Sequence, residues 1–305
     1  MSSSTITIIG QIISMFILIG IGYTLHKLGI LNKTVSKSLS DILINLTIPI
    51  VIFLSFNKPY NNIDATNLLI SFVFSIIAHL LFILTAQLLL KDPIDKNIVA
   101  IPNSGFMGIP LVSAIVGEYA IFYISAYMVV NSIVQWTYGY NTLSPHNKLS
   151  LKKLFLSPLI ISILISLFVY FMNIQISSIV TTPLTYLGNM NTPLAMLVLG
   201  SFLASSNIKD HLDELKKNLP PILIRLILLP LICVLLGFFV GKDLDFLRRI
   251  ILILSASPAA ISVALFTEKA KLNSNRASVL ICLSTLLSLF TIPIILEIAI
   301  SFWSL

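Results

Sequence analysis

The chain has 305 residues, 57% of them hydrophobic and only 10% charged, with a mean hydropathy of +1.00. Soluble proteins carry about 25% charged residues, so this composition excludes a soluble globular domain and implies a chain embedded in a lipid bilayer. The net charge of +7 falls in short loops between apolar runs, which is a signature of membrane topology and not of nucleic-acid binding.

Apolar runs near ~20 residues recur along the whole chain and predict helices rather than a barrel. The fold class expected is an all-α integral membrane protein with ten spans. The first ten residues, M-S-S-S-T-I-T-I-I-G, hold no Lys or Arg and no small-residue cleavage site. They lack the basic start of a secretory signal, so the first run is expected to stay as span 1, Thr5–Leu25. Span 2 is Ser38–Phe56, with Pro49 inside, and span 3 is Ala65–Leu90. Span 4 is Asn97–Val116, and span 5 is Ala120–Tyr140. After a polar loop come span 6, Leu154–Met172, and span 7, Ile179–Ala204, with Pro193 inside. Spans 8, 9 and 10 are Asn218–Val240, Leu247–Thr267 and Ala277–Ser301.

With the N-terminus placed outside, the inside loops hold fourteen Lys and Arg and the outside loops four, with Arg225 left inside span 8. Cytoplasmic loops are enriched in these residues, so both termini are expected outside a cytoplasmic membrane. Cys233 and Cys282 lie in apolar runs, where a thiol behaves as a small hydrophobe and no disulfide is expected. There is no metal-ligand spacing, Walker A motif or dinucleotide loop. The sequence therefore predicts no metal, no cofactor, no ATPase within the chain and no enzyme activity.

The stretch V-A-I-P-N-S-G-F-M-G-I-P in span 4 is the most informative. Two prolines and two glycines interrupt an apolar segment. Proline removes a backbone donor and glycine loosens the helix, and lipid cannot satisfy the freed backbone groups. Broken helices at membrane depth mark transport sites. Span 9 breaks in a matching way at S-P-A-A. Pro49 and Pro193 are 144 residues apart, and Pro102 and Pro258 are 156 apart, each near half the chain. Five spans per half is an odd number, so the halves 1–145 and 146–305 are expected as inverted repeats.

The segments I-P-N-S-G-F-M-G-I-P-L-V, N-T-P-L-A-M-L-V-L-G-S-F-L-A and L-S-A-S-P-A-A-I-S-V-A-L-F-T-E-K-A resemble spans 4, 7 and 9 of the auxin efflux carrier family. Span 10 resembles that family as well. The resemblance implies two five-span inverted repeats, with spans 4 and 9 crossing near the midplane. It implies a scaffold of spans 1, 2, 6 and 7, a transport bundle of spans 3–5 and 8–10, organic-anion transport, and a homodimer through the scaffold. The short loop between spans 5 and 6 is that of bacterial members such as malate and malonate permeases.

The substrate-binding residues expected are Pro102, Asn103, Ser104 and Gly105 at the first break and Ser257, Pro258, Ala259 and Ala260 at the second. The half-helix after Pro102 starts with free N–H groups and a positive dipole end, which suit an anion. The resemblance places substrate contact at Asn103, and the plainer role is a helix cap. The second break is expected to contribute mainly backbone. Gly108 and Pro110 shape the first break. Asn131 and Gln135, four residues apart, share a helix face and bind either substrate or a neighbouring helix.

His79 sits mid-span, where a hydrogen-bonded core histidine is preferred over a proton carrier. Arg225 is expected to extend to the cytoplasmic surface, with a substrate carboxylate as the alternative partner. Asp41 lies near the cytoplasmic side. The function expected is a secondary transporter of a small organic anion, coupled to H+, Na+ or its own gradient. The alternative is a receptor that binds in the same crossover without translocation.

Overall fold

The computed structural model describes residues 3–144, 154–206 and 215–303. Lys148, Lys152, Lys153 and Lys209 of the loop-charge count, and the expected division at 145/146, lie outside the described residues. So do the side chains of Lys216 and Lys217.

Every regular element among the described residues is helical. In chain order these are α1 (Ser3–Lys27), α2 (Lys33–Ser55), α3 (Asn62–Leu89), α4 (Pro93–Ala100), α5 (Ser104–Ile115) and α6 (Glu118–Leu143). They continue as α7 (Pro158–Phe171), α8 (Ser178–Ser205), α9 (Asn218–Gly237), α10 (Asp245–Ala256), α11 (Ser262–Lys269) and α12 (Ser274–Trp303). Six of them, α2, α3, α6, α8, α9 and α12, are long and apolar enough to cross a membrane unbroken. The other expected spans fall on α1, on the shorter α7, and on the broken pairs α4–α5 and α10–α11.

Local chemistry sets the ends. Asp92 accepts from the backbone N–H groups of Ile94 and Asp95, and Pro93 follows at the first helical position. Proline there lacks only an N–H that would be unpaired anyway, so α4 begins four residues earlier than the apolar run suggests. Four helices widen by one residue per turn, at 43–47, 104–108, 135–139 and 224–228, and all but the one at 135–139 end two residues before a proline, Pro49, Pro110 or Pro230. A proline ring clashes with the carbonyl one turn back, and the wider turn relieves that clash.

Leu80, Leu84, Leu88, Phe168 and Ile179 are exposed on α3, α7 and α8. Apolar faces of this extent need lipid. α1 and α8 meet through small residues: a Cβ on Gly200 would fall 2.0 Å from the Ile19 carbonyl oxygen, and one on Gly22 2.3 Å from that of Leu197. Glycine at both positions lets the two backbones touch. Two arginines counted as loop charges are in fact buried. Arg276 binds Asp95 at 2.5 Å, Asp92 at 3.1 Å and Asn218 at 3.2 Å, tying α12 to α4 and α9. Arg248 donates to the Val240 carbonyl at 3.1 Å. Among the largest buried side chains, Arg225, Tyr127, Ile98, Ile101 and Met107 lie on or beside the broken helices, while Phe56, Phe122 and Tyr170 pack on one another in a separate cluster.

Candidate functional site

The two breaks cross and hydrogen-bond to each other. Asn103 N–H donates to the Pro258 carbonyl at 2.8 Å, and Ala260 N–H donates to the Ile101 carbonyl at 3.0 Å. These bonds flank an antiparallel bridge between Pro102 and Ala259. Each break thus satisfies groups that lipid could not.

Neighbouring helices supply the rest. Asn131 on α6 donates from Nδ2 to Ser104 Oγ at 2.7 Å and to the Pro102 carbonyl at 3.3 Å. Four residues on, Gln135 donates to Ser262 Oγ at the start of α11. The shared face expected for these two amides therefore bridges both broken helices. Ser284 Oγ on α12 accepts from Ala259 N–H at 3.2 Å. Ser257 turns back on its own helix, donating to the Ile253 carbonyl at 3.0 Å. Pro258, Ala259 and Ala260 present backbone only.

Asn103 is 5% exposed. Its Oδ1 accepts from Phe106 N–H at 3.3 Å and caps α5. Its Nδ2 has no partner among the described residues. A buried amide donor left unpaired costs ~1–3 kcal/mol, so this NH2 group is equipped for a ligand. Asn103, Ser104, Gly105, Asn131, Gln135 and Ser262 line one side of a cavity of about 640 Å³. The cavity runs past Ile48 and Phe202 to exposed Lys33, Lys37, Asp41 and Glu268. Pro110 lies buried just beyond the wide turn of α5. Gly108 faces α10, and a Cβ there would lie 2.7 Å from Leu254 Cδ2.

His79 is buried. Its Nδ1 donates to the Ser75 carbonyl at 2.8 Å and its Nε2 lies 3.4 Å from Asn131 Oδ1. It stands behind the cavity wall, next to the ring of Tyr127.

Arg225 corrects an expectation. It does not reach the cytoplasmic surface and it meets no carboxylate within 4.0 Å among the described residues; it is fully buried. Its Nε donates to the Ser257 carbonyl at 3.0 Å, its Nη1 to the Val99 carbonyl at 2.9 Å, and its Nη2 to the Ser255 carbonyl. The last carbonyls of a helix have no partner within it. A guanidinium with five donors outcompetes a distant aqueous surface for them.

At the end of the protein opposite the cavity mouth, Lys58 pairs with Asp64 at 2.7 Å and Tyr123 donates to Asp64 at 2.7 Å. Lys58 lies 3.9 Å from the Phe122 ring centre. Sequence reading does not single out this cluster, nor Ser262 or Ser284, because serines within apolar helices are common and unpatterned.

A family model described as membrane transport protein matches residues 7–150 and 145–296. The chain belongs to that family. It is the auxin efflux carrier family indicated by the motifs of spans 4, 7 and 9. Membership and the apolar helices make this an integral, multi-pass membrane protein of a transporter family, not of an enzyme family. No match was found among curated proteins.

Proposed function

We propose that this membrane transport protein is a secondary transporter of a small organic anion such as a carboxylate, and that the anion binds at the crossover beside Asn103. The observation that carries the proposal is the unpartnered Asn103 amide at the head of α5, in the wall of the cavity. Helix N-termini attract anions, and α5 and α11 both begin there. In this reading Asn103, Ser104, Gly105, Asn131 and Gln135 contact the anion beside Ala260, whereas Ser257, Pro258 and Ala259, expected from the sequence to bind it, lie outside the cavity lining with their backbone groups already bonded to Arg225, Asn103 and Ser284. Gly108, Pro102 and Pro110 shape the turn.

The topology we propose is ten spans in two inverted five-helix repeats, with both termini outside the cell membrane. Two features support it. The crossover bonds are exchanged symmetrically, and Thr47 donates to Asn191 at 3.2 Å although the two are 144 positions apart. In this topology the cavity mouth at Lys33 and Lys37 faces the cytoplasm, and the Lys58–Asp64–Tyr123 cluster closes the outer side. Alternating access moves the bundle of spans 3–5 and 8–10 against the scaffold of spans 1, 2, 6 and 7. A scaffold-mediated homodimer and coupling to H+ or Na+ belong to the same proposal.

The test is uptake of labelled mono- and dicarboxylates into vesicles holding the purified protein, across pH and with or without Na+. Saturable accumulation is the expected result. Binding without accumulation would mark a receptor, and absence of binding by every carboxylate would end the anion proposal.

A further inference from the structure

We infer that Arg225 is the positioning residue of the crossover: a tethered cation that gathers the C-terminal carbonyls of both broken helices and so sets how their N-terminal ends face the cavity. This inference rests on the proposed binding of an anion at the crossover. Three guanidinium nitrogens each take a different carbonyl, one from the end of α4 and two from the end of α10. Val99 precedes Ile101 by two residues and Ser257 immediately precedes Pro258. Both Ile101 and Pro258 accept the bonds that join the two breaks. Any shift at the guanidinium is therefore passed along the backbone to Asn103 and Ala260.

The electrostatics point the same way. Helix C-termini carry the negative end of the dipole, and two of them converge on one buried charge. In transporters with discontinuous helices, such carbonyl ends coordinate a mobile cation. Here the chain provides its own. The planar fork of Arg places donors in three directions at once, which the point charge of Lys does not. The ring of Phe82, 5.3 Å from Arg225 Cζ, covers one face of the guanidinium.

Hydrogen exchange on the full chain in detergent, read by mass spectrometry over segments 98–106 and 255–264, tests this. In Arg225→Ala both segments should exchange about tenfold faster or more, since orphaned buried carbonyls lose their partner. Millimolar methylguanidinium should restore protection in that variant and leave the wild type unchanged. Exchange equal to wild type in either segment, or loss of protection that methylguanidinium does not reverse, would overturn the inference. If Arg225→Ala yields no folded protein, Arg225→Lys carries the test: faster exchange in both segments supports the role, and unchanged exchange ends it. Binding of labelled malonate is measured in parallel. No binding by the wild type removes the anion proposal and leaves the exchange result standing. Wild-type binding with unchanged exchange in the variants removes the role of Arg225 alone.

Discussion

The two broken helices meet the same backbone problem with different side chains. The α4–α5 break carries Asn103 and Ser104, one capping the next half-helix and the other bonded to Asn131. The α10–α11 break carries Ser257, which turns back on its own helix, and then Pro258, Ala259 and Ala260. Its free N–H at Ala259 is met from outside by Ser284. The backbone exchange is symmetrical, but the supply of polar side chains is not. In the proposed site, recognition would thus be concentrated on one half of a paired structure, with the other half contributing shape and dipole.

The largest expected effect strikes both breaks together. Arg225→Met leaves three buried carbonyls without a donor, at ~1–3 kcal/mol each. The yield of folded, monodisperse protein and its melting temperature should both fall sharply. A variant as stable as wild type would show that the breaks hold without the guanidinium.

Next comes Asn103→Asp, which keeps a good cap but sets a negative charge against the anion. Carboxylate affinity should drop by about 100-fold, as like-charge juxtaposition costs several kcal/mol. Tighter binding of a cation in its place would reverse the assigned charge of the ligand. Asn103→Ala removes the cap, for about 1 kcal/mol of stability, and the free amide with it. We expect roughly a tenfold loss of affinity, seen by calorimetry with the same carboxylate. The smallest effect is expected for Ser284→Ala, about 1 kcal/mol of stability and no change in affinity. If Ser284→Ala weakens binding as much as Asn103→Ala does, the two breaks contribute alike and the asymmetry fails.

Much of the site is legible in the sequence because proline, glycine and asparagine act on their own backbone. Pro102 and Pro258 mark the breaks without any knowledge of packing, and Asn103 is readable as a cap from its place after Pro102. The spacing of Asn131 and Gln135 places them on one face, but not against Ser104 and Ser262. Arg225 is misread for a clear reason. A lone arginine near a helix end has water within reach of its side chain, and only the arrival of two foreign helix ends makes burial preferable. Arg276 and Arg248, counted as loop charges, are buried for other reasons: Arg276 pairs with Asp95 and Asp92, and Arg248 binds the Val240 carbonyl eight residues back.

By itself the sequence determines that this chain is helical and membrane-bound, and where two helices break. Those are consequences of composition and of local steric chemistry, which need no partner. Its motifs also lead to the transporter family. Only the tertiary structure decides who satisfies the broken backbone. The carbonyl of Val99 finds Arg225, that of Pro258 finds Asn103, and the N–H of Ala259 finds Ser284, across 126, 155 and 25 positions of chain. A hydrogen bond is settled within about 3 Å, and sequence distance carries no record of that approach.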